Sequence, residues 1–393
     1  MSLLPVAEAQ ARLLDLAQPL PTEEAPLRDA LNRWTVQDVG ALRSQPSADL
    51  SAMDGYAVRH ADLPGPWKVI GESAAGTSFN AKVQASEAVR IYTGASVPAG
   101  ADTVVVQEDI TRDGNTITLS GDDPGAPDKH VRKAGSDFSE GQCVIPSGTR
   151  LSPQNLALAA LAGYGALPMP RKPRIALIST GSELVLPGQT VGDGQLPSSN
   201  AIMLQTMLAG LPCEPIDLGI IVDDLPTLTD CFSDLRDHDI IVTTGGASVG
   251  DHDLVRPALE AAGGAINFWK IQMRPGKPLI CGRIGNALFL GLPGNPVSAF
   301  VTATLFLLPL VRKMAGCRQP LPTFEEAVLT EAMPQVGGRD VYIRAVATKR
   351  KVEPLGMQDS AATLALSRAN CLIRRPANSA AATAGDTVEI LRI

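Results

Sequence analysis

The sequence lacks the cysteine and histidine patterns that bind transition metals, and it has few aromatic residues. Its six cysteines include no CxxC pair, and its four histidines form neither an HxxxH nor an HExxH motif. Aromatic residues make up only 4% of the 393-residue chain, so its cores are expected to be mainly aliphatic. These absences argue against a zinc or iron site made of protein ligands and favour a reducing, cytoplasmic setting.

Positive charge is also scarce. The formal net charge is -7 and there is no run of lysine or arginine, which argues against nucleic acid as a partner. Divalent cations suit the surplus of carboxylates better. No secretory leader is predicted, because the N-terminus has no basic stretch followed by a long apolar run. The apolar segment 297–311 is short and contains polar residues and Pro309, which predicts a buried helix and no membrane span.

The chain does contain enough apolar residues for several domains. Hydrophobic residues make up 45% of it, and 36 glycines and 31 prolines provide many turns. Two to four domains are expected at this length. Apolar spacing predicts helices at 3–17 and 27–34, and a further helix after Ser152.

Three regions differ in pattern. Short alternating runs between 46 and 133 (WKVIG, AVRIYTG, DTVVVQED and NTITL) predict an all-β insert. From residue 171 onward, apolar strands such as RIALIST and DIIVTT alternate with helices, which predicts a doubly wound α/β domain. Beyond Pro320 four further β runs predict a small β domain. The predicted domains are therefore 1–45 with 134–170 as a linking domain, 46–133 as the β insert, 171–319 as the α/β domain and 320–393 as the C-terminal domain.

Three polar loops follow predicted strands of the α/β domain, where open parallel sheets bind ligands. Their glycines allow close backbone approach, their hydroxyls add hydrogen-bond donors, and proline at a helix start leaves the following N–H groups available to an anion. None matches the Walker or dinucleotide-binding motif. The candidate residues are Thr180, Gly181 and Ser182 in the first loop, Gly245, Gly246, Ser248 and Gly250 in the second, and Pro293, Gly294, Asn295 and Pro296 in the third.

Carboxylates accompany these loops. If Glu183, Asp223 and Asp253 converge at the sheet edge, their oxygens suit Mg²⁺ bridging a phosphate. An aspartate after a strand is also a common helix cap, so that interpretation stays open for each one. Three basic residues, Lys270, Arg274 and Lys277, are candidates to hold phosphates, with solvated surface charge as the alternative.

The N-terminal half offers Asp54, Thr93 and Asp137 in the segments SAMDGYA, YTGA and GSDF. Taken locally, Asp54-Gly55 favours a plain turn, and Met53 and Phe138 are expected in the core. The residues alone do not bring these segments to the α/β domain.

Seven motifs together resemble the MoeA-type molybdopterin molybdenumtransferases, the family that includes the E domain of gephyrin. The resemblance covers essentially the whole chain, and SAMDGYA followed by PGNPVSA is already specific. The motifs are SAMDGYAVR (51–59), RIYTGASVPAGADTVVVQED (90–109), VRKAGSDFSEGQ (131–142), ISTGSELV (178–185), TTGGASVGDHD (243–253), MRPGKP (273–278) and GLPGNPVSAF (291–300).

The resemblance implies a fold and an assembly. It implies an elongated homodimer of four-domain subunits, with a central MogA-like doubly wound α/β domain, a β-rich insert, an N-terminal linking domain and a small C-terminal β-barrel-like domain. The active cleft would lie between the α/β domain of one subunit and the β insert of the other. Asp54, Thr93 and Asp137 would then act near the pterin and nucleotide, together with Glu183 of the α/β domain. The three loops, Asp223 and Asp253 would line the cleft, and the three basic residues would contact the anionic substrate or molybdate.

The implied reaction is Mg²⁺-dependent insertion of molybdate into the dithiolene of adenylylated molybdopterin, with release of AMP. Transient contacts with the molybdopterin adenylyltransferase and with downstream cofactor-processing proteins are expected. The sequence departs from the family pattern at Arg274, where lysine is frequent, and at Ser182, where aspartate is frequent. It departs again at Ala365, where serine is frequent, and no ligand-binding role is assigned to the C-terminal domain.

Two other functions fit part of the pattern. A molybdopterin adenylyltransferase uses the same α/β fold, but a stand-alone enzyme of that kind lacks SAMDGYA and the β insert. A non-catalytic, gephyrin-like scaffold would bind peptides tightly and would not need the acidic residues.

Overall fold

The computed structural model describes residues 3–246 and 253–393. The chain forms two compact units. The first contains Met1–Glu24, Asn32–Val36 and Pro168–Ile393, and the second contains Ala25–Leu31 and Gln37–Leu167. Several predicted residues, Ser248 and Gly250 among them, lie outside the described part of the chain.

The helices and strands are numbered in chain order. The helices are α1 (Val6–Leu16), α2 (Pro153–Leu161), α3 (Asn200–Leu208), α4 (Leu225–Asp234), α5 (Val255–Ala261), α6 (Pro296–Thr302), α7 (Leu308–Met314) and α8 (Thr363–Arg368), with a π-helical segment (Ala303–Leu307) joining α6 to α7. The strands are β1 (Thr22–Pro26), β2 (Val39–Gly40), β3 (Leu50–Ser51), β4 (Gly55–Val58), β5 (Trp67–Ser73), β6 (Glu87–Ile91), β7 (Thr103–Val106), β8 (Ile110–Asp113), β9 (Thr116–Leu119), β10 (Val131–Arg132), β11 (Cys143–Ile145), β12 (Ala166–Pro170), β13 (Arg174–Thr180), β14 (Leu184–Val185), β15 (Leu196–Pro197), β16 (Glu214–Ile221), β17 (Ile240–Thr244), β18 (Ala265–Trp269), β19 (Met273–Arg274), β20 (Ile280–Ile284), β21 (Ala287–Leu292), β22 (Glu325–Leu329), β23 (Asp340–Thr348), β24 (Lys351–Pro354), β25 (Cys371–Arg375) and β26 (Thr387–Arg392).

The second unit contains the all-β insert as a six-stranded mixed sheet in the order β7-β4-β6-β5-β9-β8. Trp67 is 1% exposed and packs with Val58 and Ile117 in its core. Sequence analysis found β5, β6, β7 and β9 but read Asp54-Gly55 as a turn. In the structure Gly55 instead begins β4, where a side chain would clash because its Cβ would lie 2.0 Å from the Val105 carbonyl oxygen.

Helix α2 shows why a helix starts where the sequence predicted it. The Ser152 side chain accepts a hydrogen bond from the Asn155 N–H, and the Asn155 side chain accepts one from the Ser152 N–H, which forms a capping box ahead of Pro153.

The helix predicted at 27–34 is wrong, because only Leu27–Asp29 forms one 3₁₀ turn. Asn32 then takes a left-handed φ of +64°, which ends any helix. Arg33 is buried, and its guanidinium donates to Glu23 and to the Pro170 carbonyl oxygen, both at 2.7 Å. These tertiary contacts outweigh the local helical pattern.

The α/β domain of the first unit has a six-stranded sheet in the order β16-β13-β17-β21-β20-β18. The first four strands are parallel, and β20 and β18 extend the sheet in antiparallel pairing. Helices cover both faces of the sheet. This is required because successive side chains of β17 point to opposite faces and all of them are buried. Ile240 and Val242 pack with α1, α3 and α6–α7, whereas Ile241 packs with α4 and α5. The predicted doubly wound domain is confirmed.

The segment Pro296–Met314 is 19 residues long and apolar enough to cross a membrane by length and composition. However, 78% of its apolar window is buried inside the protein, which is typical of a core helix.

The C-terminal strands close into a barrel. Strands β23, β24, β22, β26 and β25 form a ring that closes through the β23–β25 pairing, and β19 adds to β23. Val352, Ile373 and Ile390 fill the interior. The predicted barrel-like domain is confirmed, although sequence analysis did not predict β24 or α8.

Candidate functional site

A cavity of about 730 Å³ lies at the carboxyl ends of the parallel strands in the first unit. The three polar loops meet there, as expected for strand ends of an open α/β sheet. Sequence analysis named Thr180, Gly181, Glu183, Asp223, Gly245, Gly246, Asp253, Pro293, Gly294, Asn295 and Pro296, and all of these line it. Ser182 is exposed and is absent from the lining.

Glycine is required where two loops touch. Gly245 has a φ of +99°, and a Cβ there would lie 2.2 Å from the Thr180 carbonyl oxygen. A Cβ on Gly294 would in turn lie 3.5 Å from the Gly245 Cα. A side chain at Gly245 would push the first and second loops apart, whereas a Cβ on Gly294 would be in ordinary van der Waals contact, so Gly245 is the glycine that sets the shape of the cavity here.

Asp253 is a perturbed carboxyl group in this cavity. Burial, and then the nearby charge of Asp223, raise its pKa to about 7, while the Val255 N–H partly offsets the rise. Neither carboxylate oxygen has a hydrogen-bond partner of ordinary geometry among the described residues. A buried carboxyl group in this state gains stability from a bound cation.

The predicted metal ligands do not form a complete site by themselves. In the described ranges, no three side chains of the His, Cys, Asp and Glu types lie close enough to hold an ion. Asp224, next to Asp223, is a helix cap whose carboxylate accepts from the Thr227 N–H at 3.1 Å. Asp224 is therefore a helix cap, and its pKa is lowered mainly by hydrogen bonds from Thr227.

Two polar side chains form the floor of the cavity. Thr180 and Asn200 are 3% and 9% exposed, and neither the Thr180 hydroxyl nor Asn200 Oδ1 has a partner among the described residues. Asn200 Nδ2 donates to the Gly294 carbonyl oxygen at 2.7 Å. Ser199 and Asn200 lie at the start of α3, but the Ser199 side chain makes no capping hydrogen bond there.

The helix start at Pro296 differs from the expectation that its N–H groups are free. The Val297 N–H donates to the Ser360 carbonyl oxygen at 3.1 Å, and Asn295 Nδ2 donates to the Ser360 hydroxyl at 3.0 Å. Ala361 and Thr363 line the cavity as well. This wall was not predicted from the sequence. It depends on a contact between the loop around Ser360 and the start of α6, which are distant in sequence.

The three basic candidates are not part of this lining. Lys270 has a left-handed φ of +75°, and its ammonium lies 4.5 Å from the centre of the Trp269 ring. Arg274 and Lys277 are exposed, although Pro278 beside them does line the cavity. Their role toward an anion stays a prediction.

Asp54 and Thr93 contact each other in the second unit. Asp54 Oδ1 accepts from both the Thr93 N–H and the Thr93 hydroxyl, each at 2.8 Å, and these bonds lower the pKa of Asp54. Both residues are exposed. Met53, expected in the core, is 41% exposed, whereas Phe138 is buried as expected.

Asp137 contacts a different segment of the second unit. Its N–H donates to the Gln45 carbonyl oxygen at 3.0 Å, and its side chain is exposed. The structure therefore pairs Asp54 with Thr93, and the part of Asp137 in any site stays a prediction.

Comparison with known proteins agrees with this architecture along the whole chain. Family models match residues 4–163 (MoeA N-terminal region, domain I and II), 176–313 (probable molybdopterin binding domain) and 326–393 (MoeA C-terminal region, domain IV). The molybdopterin molybdenumtransferase of Haemophilus influenzae is 36% identical, with 99% of this chain and 98% of the relative covered. The enzyme of the same name from Bacillus subtilis is 31% identical, with 99% and 94% covered.

A solved structure has the same fold. The crystal structure of the molybdopterin biosynthesis MoeA protein from Pyrococcus horikoshii superposes with a TM-score of 0.86 and 29% identity, covering 100% of this chain and 99% of that one. The chain therefore belongs to the MoeA family. Within that family it is a transferase of the molybdopterin molybdenumtransferase type, an enzyme of molybdenum cofactor biosynthesis.

Proposed function

We propose that the protein inserts molybdate into the dithiolene of adenylylated molybdopterin in a Mg²⁺-dependent reaction that releases AMP. The observation that carries the proposal is Asp253, a buried carboxyl group with a raised pKa, beside Asp223 in a cavity that can hold a nucleotide-sized ligand. The rest of the cavity offers hydroxyl and amide groups to an oxyanion.

The carboxylates fit a magnesium ion that is only partly held by protein. Mg²⁺ is commonly bound by one or two carboxylates, with substrate phosphate oxygens and water completing its shell. Asp223 and Asp253 would hold it, with Glu183 at the rim, which agrees with the absence of a three-ligand cluster among the described residues. When bound, the ion supplies charge stabilisation to a phosphoanhydride.

The chain's own groups would orient the substrate. Thr180 and the Gly245–Gly246 turn approach the ligand from the strand ends, and Asn200 fixes the Gly294 carbonyl oxygen so that the third loop keeps its shape. Preorganised polar groups of this kind cost no reorganisation when charge develops. Lys270, Arg274 and Lys277 would hold the anionic substrate or molybdate from outside the cavity lining.

We further propose a cytoplasmic homodimer in which Asp54, Thr93 and Asp137 of one subunit serve the α/β cavity of the other. The exposed edge strand β16 supports a second copy, because Ile216 and the adjoining Val222 are 44% and 66% exposed. Transient contacts with the adenylyltransferase that supplies the substrate, and with proteins that process the product, belong to the same proposal.

The test is release of AMP from molybdopterin-AMP by the purified protein with Mg²⁺ and molybdate. AMP should appear only when both are present, and chelation of Mg²⁺ should stop it. Asp253→Asn should lower the rate by at least about tenfold, whereas Asp224→Asn, which removes a neighbouring helix cap, should change it little. The proposal is wrong if the parent protein releases no AMP. Consumption of ATP with pterin but without molybdate would show the adenylyltransferase instead.

A further inference from the structure

One wall of the cavity comes from the C-terminal domain. The loop 357–362, which precedes α8, places Ala361 in the lining, and Thr363 follows it there. Ser360 joins this loop to the α/β domain through the two hydrogen bonds to Val297 and Asn295. The shape of the loop therefore decides how this side of the cavity is closed.

The loop is wrapped around a buried guanidinium. Arg344, on β23, is 1% exposed. Its Nη1 donates to the carbonyl oxygens of Asp359 at 2.8 Å and Ala362 at 3.3 Å, and its Nη2 donates to that of Met357 at 2.9 Å. Gln358 accepts from the Arg344 N–H at 3.1 Å and donates to the Arg344 carbonyl oxygen at 3.0 Å.

A charge in this position is costly because the side chain is almost completely buried. Burial lowers the pKa of Arg344, and in the described part of the chain no carboxylate forms a salt bridge with it. A buried charge costs free energy unless it is hydrogen-bonded, so this arginine depends on the carbonyl oxygens of the loop. The planar fork of arginine can hold three carbonyl oxygens in fixed directions, which neither lysine nor an apolar residue can do. The contacts of Arg344 therefore position the loop more than they stabilise the barrel.

We propose that Arg344 is a positioning residue for the reaction, because its guanidinium sets the loop 357–362 so that Ser360 covers the start of α6 and the loop closes one side of the substrate cavity. This inference rests on the proposed function of that cavity. Arg344 itself acts through the loop and does not line the cavity.

The experiment compares Arg344→Lys with the matched variant Arg375→Lys. Arg375 is also a buried arginine of the same barrel, and its guanidinium bonds to the Ala380 carbonyl oxygen, which is not part of the cavity lining. Both variants are assayed for AMP release at temperatures where circular dichroism shows them folded. We expect Arg344→Lys to lower kcat/KM by about tenfold or more, mainly through KM, and Arg375→Lys to stay within about twofold of the parent.

Hydrogen exchange provides a readout that needs no turnover. Peptides covering residues 291–300 and 355–363 should exchange faster in Arg344→Lys than in the parent or in Arg375→Lys. Equal kcat/KM losses in the two variants, or unchanged exchange in Arg344→Lys, would overturn the inference. If the parent protein releases no AMP, the proposed function fails, and the exchange comparison still decides whether Arg344 sets the cavity wall.

Discussion

The acidic candidates of the two units differ in how completely the protein provides hydrogen bonds to their carboxylates. Asp253 in the first unit is half-buried, but its two carboxylate oxygens are buried and lack a hydrogen-bond partner of ordinary geometry among the described residues, and its pKa is raised to about 7. Asp54 in the second unit is exposed, and one of its oxygens already accepts two hydrogen bonds from Thr93, which lower its pKa. The Asp253 carboxyl group is left in need of a ligand, whereas the Asp54 carboxylate is held by Thr93, which is distant in sequence.

This difference decides whether the structure of each residue, taken by itself, indicates a bound ligand. A costly buried group persists when something outside the apo chain compensates it, so Asp253 points to a ligand by its own physical state. The geometry of Asp54 is explained by its hydrogen bonds from Thr93, so its catalytic role depends on family resemblance. The predictions below test this difference between the α/β cavity and Asp54.

The largest effect is expected where the cavity depends on backbone contact. Gly245→Ala should cost about 3 kcal/mol or more, since it combines a left-handed φ with a Cβ clash against the Thr180 carbonyl oxygen. It should also abolish AMP release. The control is Gly263→Ala, where φ is +82° but no atom lies within 4 Å, so strain alone should cost about 1 kcal/mol. Similar unfolding free energies for the two variants in denaturant titrations would contradict this account of the cavity.

An effect of intermediate size on kcat should show whether Asp54 is catalytic or only structural. Thr93→Val removes the hydroxyl bond but keeps the Asp54 carboxylate, whereas Asp54→Asn and Asp54→Ala remove its charge. If Asp54 is catalytic, the Asp54 variants should lose about 100-fold in kcat, a size typical of acid–base groups, and Thr93→Val should lose much less. Equal losses would mean that the pair only joins the segments around Asp54 and Thr93, and an Asp54→Ala protein with unchanged rate would remove Asp54 from the site.

The smallest effect is a pH dependence of stability. Because the pKa of Asp253 is raised in the folded apo protein, the folded state binds more protons than the unfolded chain between about pH 4 and pH 7. Asp253 should therefore destabilise the protein as pH rises through this window. Asp253→Asn should be more stable than the parent at pH 8 by on the order of 1 kcal/mol, a value reduced for partial solvent screening, and the difference should vanish near pH 4. Urea titrations at the two pH values measure it, and an equal difference at both would contradict the burial argument.

The sequence predicted the part of the site that follows from local rules. Strand-end loops with glycine and proline lie where parallel sheets bind ligands, so Thr180, Gly245 and Gly294 could be found without a structure. The doubly wound sheet followed from the alternation of strands and helices, and the small C-terminal β domain from its β runs, whereas its barrel-like form was implied by the family resemblance.

Long-range contacts account for what was missed. Ser360 reaches the start of α6 only because Arg344 folds its loop, and no local pattern around residue 360 indicates this. The short helix expected at 27–34 failed because Arg33 finds partners far away in sequence. Gly55 resembled a turn residue, although its small size is needed by the neighbouring strand β7.

The π-helical segment Ala303–Leu307 affects how the length of the helical segment Pro296–Met314 can change. A π turn accommodates one residue more than regular α-helix needs, and each residue of an α-helix advances the azimuth by about 100°. Deleting one residue within the π turn should therefore leave a continuous α-helix whose Pro296 and Met314 ends keep their relative orientation. Deleting one residue in the regular α-helical part would instead rotate one end against the other by roughly 100°, so the cavity at the Pro296 end should tolerate a one-residue deletion within Ala303–Leu307 better than one in α7.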